Sequence, residues 1–142
     1  MGLFSIIPLL IIPILIYNVI SFGGATLTTA EAVRARMDVE FMSVPMASGA
    51  EWIITPGHGL VAMALVMLFF ELLKSTGIGR AAVMNHAFSM VLFIICLVEF
   101  LMFDAFATSV FFLIMMMALM DVMAGFMVTI ASARRDFNVV EN

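Results

Sequence analysis

Two groups of polar side chains interrupt an otherwise apolar chain, and each has residue types that could do chemistry. The first centres on Asp121, the lone acid in the apolar run from Ala105 to Ala133. Within that run Ala118, Asp121, Gly125, Thr129 and Ser132 recur at steps of three and four, so the small and polar side chains share one stripe of a helix. Such a stripe faces protein, and an ionisable group on it is costly enough in a bilayer to mark a partner or a pathway. Asn85, His86 and Ser89 lie on the preceding apolar segment. Counting back from the turn at Asp104, Ser89 comes level with Asp121 and His86 lies about one helical turn further on. The four residues form a mid-membrane cluster whose chemistry is either a proton or cation relay or hydrogen-bonded glue around a neutral Asp121. With no second acid expected at that depth, the sequence favours glue, with the Asp121 carboxyl in hydrogen-bond reach of Ser89 or His86.

The second group, His58 with Glu99 and Asp104, falls near the opposite membrane face by the same count. Imidazole and carboxylates suit zinc or another divalent ion, but a closed site here lacks the second His or Cys that usually anchors one. We therefore expect a solvated or salt-bridged interface, with no metal and no cofactor. His58 and His86 are separated by roughly ten residues of helical rise, about 15 Å, too far for one haem iron. Met116, Met120, Met123 and Met127 form a stripe whose thioethers can ligate Cu(I), yet no His or Cys gathers beside them, so they read as packing. Thr55, Gly57, His58 and Gly59 lack the preceding strand and following Lys-Ser/Thr of a phosphate loop. Ser89 and Asp121 have no nucleophile elbow around them, which removes a hydrolytic triad. Glu71 and Lys74, three apart and near the cytoplasmic face, read as an interfacial ion pair of little weight.

The background to these residues is a chain of 142 residues that is 65% hydrophobic and 11% charged, whereas soluble domains carry about 25% charged residues. A formal charge of −4 with scattered basic residues excludes a nucleic-acid footprint or a polybasic lipid-binding arm. A single cysteine, Cys96, excludes an internal disulfide and a Cys-based metal centre.

The elements that must position the polar groups are those of an all-α polytopic membrane protein, a single domain over residues 1–142. Roughly 20 apolar residues cross a ~30 Å hydrocarbon core, and four stretches qualify, at about 2–22, 57–73, 81–103 and 105–133. The first carries Pro8 and Pro13 as kinks and lacks the basic start of a signal peptide. Between the first two spans lies an outer-face segment, 23–56. There Thr28 and Glu31 have capping-box spacing, Leu27 is placed for a staple, and a short amphipathic helix over about 29–41 turns Ala30, Val33, Met37 and Phe41 to the membrane interface. Pro45 and Gly49 end that pattern, Trp52 suits an aromatic belt, and Thr55 with Pro56 caps and opens the next span.

Four spans place Lys74, Arg80, Arg134 and Arg135 on one side and only Arg34 and Arg36 on the other, so both termini should be cytoplasmic. The closing pattern of Asp121, Gly125, Phe126 and Thr129, then Arg134, Arg135, Asp136 and Phe137, resembles that of small bacterial four-span proteins, and no function carries over from the likeness. The expected location is a bacterial inner membrane. The expected function is that of a non-catalytic accessory or assembly subunit, with the lipid bilayer and other membrane subunits as partners. The rival is a homo-oligomeric ion or proton channel, or a proton-coupled transporter, that uses Asp121.

Overall fold

The computed structural model describes residues 6–23, 28–75 and 80–140, with side chains described as far as residue 131. Its elements in chain order are α1 (Ile11–Phe22), α2 (Ala30–Met37), the strands β1 (Met42–Pro45) and β2 (Glu51–Ile54), α3 (Pro56–Ser75), α4 (Arg80–Met102), a 3-10 turn at Asp104–Phe106, and α5 (Ser109–Val140). The protein is mostly helical. Among the described residues three helical stretches are long and apolar enough to cross a membrane, Pro56–Ser75, Ala81–Met102 and Ser109–Ala131, and they place the chain in one.

The first helix is shorter than the sequence suggests. Its 12 residues begin at Ile11, after a turn in which Ile11 N–H and Ile12 N–H donate to the carbonyls of Pro8 and Leu9. Two prolines account for the late start: Pro8 stays outside the helix, and Pro13 sits in the first turn, where its missing N–H leaves no helical bond unmade and no kink is needed. The part of the expected 2–22 span that falls on residues 1–5 lies outside the described residues. At the other end Gly23 takes a left-handed φ of 36°, and a side chain there would run into the Arg36 guanidinium.

The outer segment departs further from expectation. Thr29 caps α2, accepting from Ala32 N–H at 3.3 Å. Thr28 instead donates its hydroxyl to the Ser21 carbonyl at 2.7 Å, so the cap lies one residue later than the Thr28–Glu31 spacing implied, and with alanine at position 32 it is a single N-cap bond rather than a capping box. Leu27, its staple partner, lies outside the described residues. The helix stops at Met37 rather than continuing to 41. Ala30, Val33 and Met37 are buried, but against the 3-10 turn and α3 rather than in lipid, while Phe41 is 75% exposed. Residues 42–54 form an antiparallel hairpin that pairs Met42 with Ile54 and Val44 with Trp52. Its loop turns at Gly49, where φ is 84° and Met46 N–H meets the Ala50 carbonyl. Trp52 therefore stands on a strand, half exposed, and not on a loop leading into the span.

The last helix is the axis of the bundle, packing along both α3 and α4, with α1 against α3 and α5. Its inward residues Phe111, Ile114, Met115 and Ala118 meet Leu60, Ala64 and Leu68 of α3 and Leu92 and Cys96 of α4. Tyr17 stacks between Phe106 and Phe111, with ring centroids 5.6 and 4.8 Å away. The outward faces stay apolar, as in Phe69, Val91, Ile95, Val98, Met120, Met123 and Met127. That suits a lipid solvent, in which exposure of such groups has no hydrophobic cost.

Candidate functional site

The centre of the polar interior is Glu71, whose expected interfacial ion pair with Lys74 is present but is only part of a larger set of bonds. Its side chain is fully buried. Glu71 Oε2 accepts from Leu9 N–H at 2.8 Å, while Oε1 accepts from the Asn85 amide and lies 3.0 Å from Lys74 Nζ. Lys74 Nζ also donates to the Ile7 carbonyl at 2.8 Å. The carboxylate thus ties the entry turn of α1 to α3 and α4. It also places a negative charge at the N-terminal end of α1, whose free N–H groups favour an anion. A signal for this was present: Gly57, Leu60, Ala64, Leu68 and Glu71 advance in steps of three and four along the buried stripe of α3.

Next to this clamp lie the residues singled out around Asp121. Asn85 reaches Glu71 through its amide nitrogen, and Asn85, Ser89 and Asp121 are each 3% exposed, turned away from lipid. Glu71, Lys74 and His86 all act electrostatically on Asp121, so a buried acid of α3 bears on it. The Ser89 hydroxyl faces the Asp121 carboxyl but is not placed for a well-formed hydrogen bond. Asn85 Oδ1, Ser89 Oγ, Asp121 Oδ2 and both ring nitrogens of His86 are buried without a hydrogen-bond partner. The imidazole packs edge-on to Phe126 at 4.8 Å and against Gly125, where any β-carbon would collide with it. Gly125 is therefore the residue that admits His86 between α4 and α5. Thr129 bonds back to the Gly125 carbonyl at 2.9 Å and adds no donor to the cluster.

We compared the chain with protein-family models, curated proteins and solved structures. Nothing matches. The reading of the site rests on its geometry alone.

At the outer end of the bundle His58, Glu99 and Asp104 are engaged separately. His58 closes a local capping box, its N–H donating to Thr55 Oγ1 at 3.2 Å and its Nδ1 accepting from Thr55 N–H at 3.3 Å. Glu99 accepts from the Asn18 amide at 3.4 Å. Asp104 Oδ2 accepts from Ala30 N–H at 2.9 Å and so holds the start of α2. No hydrogen bond or ion pair joins the three among the described residues. The sequence overlooked Tyr17, whose hydroxyl donates to the Ala105 carbonyl at 3.1 Å and meets Thr108 Oγ1.

An apolar groove of about 400 Å³ opens sideways between the entry turn of α1 and α4, lined by Ile7, Pro8, Ile11, Phe88, Val91 and Ile95. It carries no polar group that would orient a substrate. Among the described residues no three His, Cys, Asp or Glu side chains gather as a metal site. The arrangement offers buried oxygens and an imidazole, suited to holding a proton, water or a small cation. It offers no nucleophile paired with a base.

Proposed function

We propose that the protein is a four-span subunit of a bacterial inner membrane, with both termini cytoplasmic, that serves a larger membrane complex as a non-catalytic accessory or assembly component. The observation that carries this reading is the outer hairpin. Phe41, Met42, Met46, Trp52 and Ile53 are each at least 46% exposed, on a segment that is neither a membrane-spanning helix nor packed into the core. A two-stranded hairpin is at best marginal by itself, and apolar side chains displayed on it gain from a protein cover. The fourth span is supported by the ties of α1. Its entry turn is bonded to Glu71 and Lys74 at the end of α3, and its far half is bonded through Asn18 to Glu99 in the last turns of α4 and through Tyr17 to the turn between α4 and α5.

The test is a purification in mild detergent, with Phe41→Ser/Trp52→Ser as the control. A complex with larger, unrelated subunits that the hairpin variant loses while staying folded supports the reading. A symmetric homo-oligomer that conducts ions in liposomes overturns it. Orientation is tested separately: in intact cells a Ser75→Cys variant should resist a membrane-impermeant thiol reagent and a Ser48→Cys variant should react. The second reading, an ion or proton channel or transporter using Asp121, is favoured by one observation, the nearby buried carboxylate of Glu71.

A further inference from the structure

The buried oxygens between α4 and α5 carry an inference that is independent of whether the chain has a larger partner. Buried polar atoms in native proteins nearly always have a partner, because leaving one without costs about 1–3 kcal/mol. Here Asn85 Oδ1, Ser89 Oγ and Asp121 Oδ2 lack one together, on side chains 97% removed from solvent. Asn85 and Ser89 are one helical turn apart on the same face of α4, and Asp121 faces Ser89 from α5, so the three side chains lie along one buried seam of the bundle.

Charge decides what fits. The two buried carboxylates differ: Glu71 is matched by Lys74 at 3.0 Å, whereas no cationic side chain is paired with Asp121 among the described residues. An ionised Asp121 leaves the layer one positive charge short, and a divalent ion would overshoot by one in a medium where an uncompensated charge is expensive. Carboxylate, amide carbonyl and hydroxyl oxygens are hard donors, and a set this small suits a small hard ion.

We propose that Asn85 Oδ1, Ser89 Oγ and the Asp121 carboxylate form a binding site for one monovalent cation, sodium by size and hardness, held between α4 and α5. His86 stands beside the site, its ring wedged against Gly125 and Phe126. The rival way of neutralising Asp121 is a proton, carried either on the carboxyl itself or on His86. Glu71, Lys74 and His86 are the ionisable groups that face it.

The experiment follows thermal unfolding of the full chain in detergent as sodium chloride replaces choline chloride at constant ionic strength. The site predicts a saturable rise in the unfolding midpoint with sodium, at least tenfold weaker half-saturation with potassium, and loss of the rise in Asp121→Asn. Ser89→Ala should shift half-saturation at least tenfold, and His86→Gln should leave it unchanged. If Asp121→Asn does not fold, the Ser89→Ala shift carries the test. A midpoint indifferent to sodium, or a response that Ser89→Ala leaves unmoved, overturns the proposal. So does a response that His86→Gln abolishes, which would place the positive charge on the imidazole.

Discussion

The two ends of the bundle use polar residues in opposite ways. At the outer end Tyr17, Asp104, Thr55 and His58 each bond to a neighbouring backbone or side-chain group, and each holds one element in place: Tyr17 the turn before α5, Asp104 the start of α2, Thr55 and His58 the start of α3. At the inner end Glu71 does the same for α1, α3 and α4. One layer further in, Asn85, His86, Ser89 and Asp121 leave buried oxygens and nitrogens without partners. The outer end reads as a framework held by its own contacts, with the Ser21 hydroxyl its one buried group without a hydrogen-bond partner among the described residues. The inner end reads as a framework with a site inside it. The lesson is that the number of polar groups in a membrane bundle says less about function than whether their bonds are already made.

That contrast can be broken at its strongest point first. Glu71→Ala takes one partner from a partly exposed lysine and leaves a buried amide and a backbone N–H without theirs, and it should destabilise the protein by about 2–4 kcal/mol, read as loss of the folded species in detergent melts. A melt close to wild type would mean that the clamp on α1 is not structural. Gly125→Ala forces the His86 ring out of its place and should lower stability by about 1–3 kcal/mol. Combining it with His86→Ala should restore much of that loss, a coupling that a double-mutant cycle measures directly. Additive losses would show that the collision is relieved elsewhere.

At the outer end the expected effects are smaller, because each group there makes bonds with single, local consequences. Tyr17→Phe keeps the ring stack on Phe106 and Phe111 and loses only the hydroxyl bonds, so about 0.5–1.5 kcal/mol should go. Thr29→Ala removes an exposed cap, for about 0.5–1 kcal/mol, and Thr28→Ala should not remove that cap. Helix content by circular dichroism near the melt distinguishes the two threonines. If Thr28→Ala proves to be the one that frays α2, the capping register described above is wrong.

The apolar runs and their periods were legible in the chain because they are properties of neighbouring residues. Runs of about 20 apolar residues marked α3, α4 and α5, and the stripe through Ala118, Asp121 and Gly125 gave the inward face of α5. The same local logic put Asn85 and Ser89 on one face of α4. It also placed Thr55 and Pro56 at the start of α3. What failed was local competition and long-range pairing. Two adjacent threonines compete to cap α2; Thr28 bonds back to the Ser21 carbonyl through both its N–H and its hydroxyl, which leaves Thr29 to the helix. The hairpin at 42–54 was hidden because Pro45 and Gly49 signal a break in a helix as readily as a turn between strands.

Glu71 shows the division most plainly. The sequence by itself determined that it lies on the stripe of Leu60, Ala64 and Leu68, three residues before Lys74. Only the tertiary structure decided that this position is sealed, because the groups that seal it, Leu9 N–H and the Asn85 amide, lie 62 residues before it and 14 after it in the chain. The same holds for Tyr17 with Ala105, 88 residues apart, and for Asp104 with Ala30, 74 apart. A hydrophobic period fixes which way a side chain points relative to its own helix. What it meets there depends on the packing angle and depth of helices that the period does not encode.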